Sequence, residues 1–166
     1  MEQAKLEMLA EKAREIRLGA LEAVYNAASG HPGGSLSISD ILAYPYFEEM
    51  NVDPADPKKA DRDRFVLSKG HTAPALYATL AAKGYFGKEN LKTLRQADSF
   101  LQGHPDMKHT PGVDMSSGSL GLGISAAAGM ALSAKISGDA YRVYTIVGDG
   151  ESEEGQVWEA AMFSAH

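Results

Sequence analysis

The chain has 166 residues, with 16 Lys and Arg against 22 Asp and Glu, a formal charge of −6 and no cysteine. A composition that is 44% apolar and 23% charged describes an ordinary folded globule and excludes disorder and collagen. The lack of cysteine removes disulfides, thiolate metal sites and a Cys nucleophile, and net acidity without basic–aromatic clusters argues against a nucleic-acid surface.

A single domain over residues 1–166, in the cytoplasm, is expected. The first twenty residues interleave charged and apolar side chains, which no leader peptide does. The long uncharged stretch from Met115 to Ala134 is too rich in Gly, Ser and Ala to enter lipid, so it is expected to be buried in protein rather than in a membrane.

Leu6, Leu9, Ala13, Ile16, Ala20 and Val24 recur at spacings of three and four, predicting a helix over about residues 3–28. The run Ser29-Gly30-His31-Pro32-Gly33-Gly34 then stops it. A second helical pattern starts at Ser37 and carries Ile38, Ile41, Leu42 and Phe47, with Pro45 expected to kink or shorten it. Residues 51–63 form a polar loop leading to a buried strand, Arg64-Phe65-Val66-Leu67.

Ser68 to Thr72 make a turn, Pro74 opens a helix that Gly84 closes, and a small helix follows near Lys88–Arg95. After an irregular segment over 98–119, the small residues from Leu120 to Lys135 predict a closely packed helix. The β-rich run from Arg142 to Val147 is the clearest strand. It leads directly into Gly148-Asp149-Gly150-Glu151, and a last helix starts near Ser152. Strand–turn–helix units of this kind indicate an α/β layer architecture. With only two strands, the edge beside Val143–Val147 is expected to be exposed and prone to association.

A strand that ends in Gly-Asp-Gly and feeds a helix lets an anion approach backbone N–H groups. Asp149 there is a hard oxygen donor suited to Mg²⁺ or Ca²⁺. The plain alternative is a tight turn with a solvated Asp149. Glu151, Glu153 and Glu154 read as carboxylates complementing a helix start. His31, His71 and His104 each sit in a glycine-containing break. If those loops converge, their imidazoles can hydrogen-bond a polar substrate and move protons. A three-histidine zinc site is the competing reading, although zinc-motif spacings are absent. Gly118 to Gly123 mimics a dinucleotide loop but follows no strand, so it reads as a close-packed helix start.

Together, Ser29-Gly-His-Pro-Gly-Gly34, Ser68-Lys-Gly-His71 with Ala75-Leu-Tyr77, Gln102-Gly-His-Pro105, Ser117-Gly-Ser-Leu-Gly121 and Gly148-Asp-Gly-Glu-Ser-Glu-Glu-Gly155 resemble the transketolase family. The likeness covers nearly the whole chain. It is closest to the N-terminal subunit of split transketolases, whose domain binds the diphosphate of thiamine diphosphate.

The resemblance implies an α/β fold, the helix-rich N-terminal portion of a thiamine-diphosphate-binding domain, with a parallel sheet of which about two strands are evident. It implies Asp149 as a Mg²⁺ ligand, Gly150 as a backbone contact to diphosphate, and Gly118, Leu120 and His71 beside the cofactor. His31, His71 and His104 would be catalytic groups lining the substrate funnel, and Glu154 an acid at a subunit interface. The implied reaction, of the kind found in the pentose phosphate pathway, moves a two-carbon ketol unit from a ketose phosphate to an aldose phosphate, the cofactor supplying the electron sink.

The implied partner is a separate pyrimidine-binding subunit, in a homo- or hetero-oligomer, with no nucleic acid and no membrane involved. Leu122 stands where split members usually carry Gln. The family's next metal ligand, an Asn, and its later strands would follow beyond His166, so the chain is expected to be an incomplete half-subunit. A non-catalytic interaction module of the same fold, unable to bind cofactor alone, is the alternative.

Overall fold

The computed structural model describes residues 2–166. Helix α1 (Gln3–Ala27) buries Leu9, Ala13, Ile16, Ala20 and Ala23 and ends on Ala28 in the left-handed region. This is the predicted stripe shifted slightly: Leu6 is exposed and Ala23 is buried instead.

The next segment differs from expectation. Pro32, Gly33 and Gly34 belong to a short helix, α2 (Pro32–Ser37), with Pro32 at its first position, where a missing N–H costs nothing. Helix α3 (Ser39–Tyr44) follows a break at Ile38. As expected, Pro45 shortens the helix, which ends at Tyr44; it also opens a π-type turn over Pro45–Glu49, closed by the Met50 N–H donating to the Pro45 carbonyl at 2.8 Å. The wider turn satisfies the backbone around the proline.

Strands β1 (Arg64–Leu67) and β2 (Val143–Ile146) pair in parallel, with Arg64 opposite Val143 and Leu67 opposite Ile146. They form the two-stranded sheet of a helix-rich fold. Helix α4 (Ala73–Lys83) is buried along most of its length and closed by Gly84 in the left-handed region. The core gathers α1, α3 and α4 with Tyr46, Phe65, Leu67, Leu91, Leu94 and Leu101, the rings of Tyr46 and Phe65 meeting edge to face at 5.4 Å. The small helix near residue 90 is a tight 3₁₀ segment, Lys88–Thr93.

Two buried aspartates fix the amino ends of the strands. Asp63 accepts from the Arg142 N–H at 2.7 Å and the Asn51 N–H at 2.8 Å. Asp114 accepts from the Phe65 N–H at 2.7 Å and pairs with Arg62.

Helices α5 (Leu122–Ser137) and α6 (Gly155–Ala165) pack on each other. The expectation that Met115–Ala134 is buried holds on one side only. In α5, Gly123, Ala127 and Ala134 are buried, whereas Leu122, Leu132 and Ile136, like Trp158, Met162 and Phe163 of α6, are exposed. The small residues mark where α5 meets the two strands. They say nothing about the opposite face. No helix among the described residues is long and apolar enough to cross a membrane.

That contact yields a test within one helix. A Cβ on Gly123 would lie 2.5 Å from Ser68 Cα, whereas one on Gly129 meets nothing within 4 Å. Gly123→Ala is expected to lower unfolding free energy by about 1–3 kcal/mol or more through overpacking. Gly129→Ala should raise it by up to about 1 kcal/mol from helix propensity. Urea unfolding of the two variants checks the opposite signs.

Candidate functional site

Parallel strands release their following loops at the same end of the sheet, and ligands of open α/β sheets bind there. Here Ser68-Lys69 leaves β1 beside Val147-Gly148-Asp149 leaving β2. A cleft of about 480 Å³ opens at this point, lined by Gly33, Gly34, Lys69, His71, Leu120 and the run Gly148–Glu151. Larger hollows lie along α1 and beside Arg62. Neither touches the carboxyl ends of the strands, so neither is the better candidate.

Glycines shape the cleft in two ways. Some permit close approach: a Cβ on Gly34 would fall 2.5 Å from Thr72 Cγ2, and one on Gly70 would fall 2.6 Å from the Ser117 carbonyl oxygen. Others leave room, since a Cβ on Gly33 or Gly150 would meet nothing within 4 Å. Bare backbone therefore faces open space, the cradle an extended anion needs.

Lys69 is buried beneath it, its ammonium 3.4 Å from the Gly34 carbonyl. Burial lowers its pKa, while the charges of Asp149 and Glu151 act to raise it. Asp149 is exposed at the mouth, and its backbone carbonyl accepts from Ser152 Oγ at 2.5 Å.

The histidine loops converge as the sequence suggests. His31 and His71 meet edge to face with ring centroids 5.0 Å apart. Burial, and then the fields of His31, Lys69 and His104, lower the pKa of His71. His104 is lowered by burial, Arg95 and His31. Gly118 lies against the His104 ring, where a Cβ would come within 3.4 Å of it. Leu120 lines the cleft. Glu154 is exposed on this chain and packs against Gly121.

No group of three or more His, Cys, Asp or Glu side chains among the described residues is arranged to hold a metal ion. His31 and His71 meet edge to face, and among the described residues no third donor joins them in a set that would hold zinc. Asp149 is one carboxylate donor, and a Mg²⁺ ion held by it would need its other oxygens from a phosphate ligand and water, as Mg²⁺ sites with few carboxylates do.

Three supporting residues escape a reading of the sequence. Glu151, locally a helix-start acid, is 3% exposed and accepts hydrogen bonds from Ser68, Gly121 and Gly148. The Tyr77 hydroxyl is 2.9 Å from the carbonyls of both Gln102 and His104 and holds the His104 loop. Arg95, in the left-handed region at φ 61, donates to Ser29 Oγ at 2.9 Å and lies against Gly103. It thereby bridges the loops that carry His31 and His104. Tyr77 and Glu151 stand inside motifs quoted above, but those motifs give neither residue this role, and nothing in the sequence singles out Arg95.

The sequence matches the family described as "Transketolase, thiamine diphosphate binding domain" over residues 9–166. It is 53% identical over 156 residues to the 6-deoxy-6-sulfo-D-fructose transketolase subunit of Clostridium sp. strain MSTE9, covering 94% of this chain and 57% of that protein. It is 46% identical over 162 residues to one of the subunits of apulose-4-phosphate transketolase from Phocaeicola vulgatus, covering 98% and 56%. Among solved structures, transketolase from Leishmania mexicana superposes with a TM-score of 0.85 at 37% identity, over 92% of this chain and 24% of that one. The chain thus spans little more than half the length of these subunit relatives and about a quarter of the solved chain.

The depressed imidazoles set a pH dependence. A histidine whose folded pKa lies below its unfolded value of about 6.5 binds fewer protons folded than unfolded in the window between them, so stability rises with pH there and is lost on acidification. Unfolding free energy is expected to fall between about pH 7.5 and about pH 5.5, and His71→Asn should flatten part of that slope. Urea unfolding at both pH values checks it. Equal slopes in variant and parent would contradict the burial of His71.

Proposed function

Because the chain belongs to the family of transketolase thiamine-diphosphate-binding domains, we propose that it supplies the diphosphate-holding part of a two-carbon transferase. In this reading a separate pyrimidine-binding subunit completes the site, in an oligomer working in the cytoplasm. The observation that carries it is the meeting, at one end of two parallel strands, of a glycine-lined cleft with Asp149, Lys69 and paired imidazoles. Two relatives being named as transketolase subunits supports the split arrangement.

The chemistry of the cleft fits thiamine diphosphate. Gly33 and Gly150 leave the space an extended diphosphate takes, and the Gly150 backbone N–H and the Lys69 ammonium are donors suited to its oxygens. Asp149 would hold Mg²⁺, or Ca²⁺, against it. His71, Gly118 and Leu120 would flank the cofactor, and Glu154 would face the partner subunit. The cofactor, when bound, supplies the electron sink for breaking a ketose carbon–carbon bond.

The chain's own residues bind, orient and move protons. His71 and His104, held below the ordinary imidazole range by burial, are neutral near pH 7 and able to accept a proton from a sugar hydroxyl at a ring nitrogen. His31, in edge contact with His71, would serve the same donor. The substrates in this reading are a ketose phosphate and an aldose phosphate. An interaction module of the same fold that takes no cofactor is the alternative, favoured by the single carboxylate at the mouth.

Titration calorimetry of thiamine diphosphate with Mg²⁺, into the chain mixed with a pyrimidine-binding subunit, decides between them. Saturable uptake is expected with the partner and weak or no uptake without it. Asp149→Ala should weaken it by at least about tenfold, since even loss of a partner that only supports a metal ligand costs about that much. No uptake in the mixture would leave the interaction module, and uptake indifferent to Asp149→Ala would remove the metal assignment.

A further inference from the structure

Glu151 has no part in the chemistry described above, yet no carboxylate in the cleft is more firmly engaged. Its Oε1 accepts from the Ser68 hydroxyl at 2.5 Å and from the Gly121 N–H at 2.8 Å. Its Oε2 accepts from the Gly148 N–H at 2.9 Å. The donors come from three separate elements: the end of β1, the residue before α5, and the end of β2. Ser68 Oγ in turn accepts from the Ile124 N–H at 3.2 Å, so the connection reaches the first turn of α5. Gly121 lies at φ 83, a conformation open to glycine, and this aims its N–H at the carboxylate.

We infer that Glu151 is a positioning residue, whose buried carboxylate ties both strand ends to the start of α5 and so builds the floor of the cleft before any ligand arrives. The Gly121 and Gly148 N–H groups are taken up by this side chain and face inward. Asp149 and Gly150, on the turn between Gly148 and Glu151, are thereby left at the mouth. Hydrogen bonds to a carboxylate are short and strong, and removing the acceptor strands every donor it served. A glutamine in its place keeps the shape but turns an NH₂ group toward one of the donors. The effect on cofactor affinity rests on the proposed function. The connection itself does not.

The test uses two readouts on Glu151→Gln. In the ligand-free chain, amide hydrogen exchange at Gly121 and Gly148 is expected to speed up by at least about tenfold, the worth of one charge-assisted hydrogen bond. With Mg²⁺ and the partner subunit, thiamine diphosphate affinity should fall by at least about tenfold while turnover at saturating cofactor stays within a few-fold, as misplacement rather than lost chemistry requires. Leu42→Ala, a fully buried site in α3, controls for stability: it should lower the melting temperature at least as much yet leave affinity unchanged.

Should Glu151→Gln fail to fold, Ser68→Ala removes one of the three donors and the acceptor of the Ile124 N–H, and should speed exchange at Ile124 and Gly121 but not at Gly148. Unchanged exchange at Gly121 and Gly148, or an affinity loss in Leu42→Ala equal to that of Glu151→Gln, overturns the inference. If the parent chain takes up no thiamine diphosphate even with Mg²⁺ and the partner subunit, the functional reading fails and exchange alone decides the role of Glu151.

Discussion

The in-register parallel pairing of β1 with β2 is the constraint on which the rest depends. Four residues of each strand face one another, and a ladder that short is not stable by itself. It is held instead at its two ends. At the amino end, Asp63 and Asp114 accept backbone N–H groups that the ladder leaves over. At the carboxyl end, Ser68 and Gly148 converge on Glu151. Slip the register by one residue and the bonds that cross between the two strand segments, Arg142 to Asp63 and Ser68 to Glu151, lose their partners. Because the pairing is parallel, the same constraint that keeps the sheet in register delivers both loops to one edge.

The glycines divide their work along the same line. Gly34, Gly70 and Gly123 lie where another element approaches too closely for any Cβ, so they bring α2, the Ser117 segment and α5 onto the strand ends. Gly33 and Gly150 touch nothing and leave backbone bare toward the cleft. A glycine-rich sequence thus carries two messages, tight packing and open access, and only neighbours in space separate them. Alanine at the first kind of position disturbs the scaffold. At the second it would narrow the place a ligand occupies.

What is legible in the sequence follows from how far each signal travels along the chain. Helices α1 and α4 and both strands are written in local periodicity and punctuation, and the structure places them within a few residues of expectation. The Gly-His-Pro-Gly-Gly run reads as a stop because glycine breaks helices, yet Pro32 at a first position and the Ser35 hydroxyl bonded to the His31 carbonyl at 2.9 Å start a new turn there. Glu151 is illegible for a different reason. Its partners lie 83 and 30 residues away, and a glutamate after Gly-Asp-Gly looks locally like any helix-start acid. Arg95 is hidden likewise, and Tyr77, though part of a quoted motif, acts on the His104 loop through hydroxyl contacts 25 and 27 residues away that the motif does not record. The uncharged run through α5 misleads in the opposite sense: being apolar does not say which face is covered, and only Gly123, Ala127 and Ala134 are.

Net charge is a poor guide to what such a cleft accepts. The chain carries −6, but exposed charges farther away than about 8 Å are largely screened at physiological salt, so the groups lining the cleft decide. There the buried Lys69 is opposed by burial and supported by the two carboxylates of Asp149 and Glu151. Nearby, the imidazoles of His71 and His104 are held toward their neutral form. Positive charge is therefore concentrated on one ammonium at the base, while the rings above it keep lone pairs free to take protons. Protonating those rings would add charge favourable to an anion but would remove the acceptors. An anion-holding floor and a proton-accepting wall coexist because burial and mutual repulsion among the bases act on His71 and His104, whereas the two carboxylates help Lys69 keep its charge.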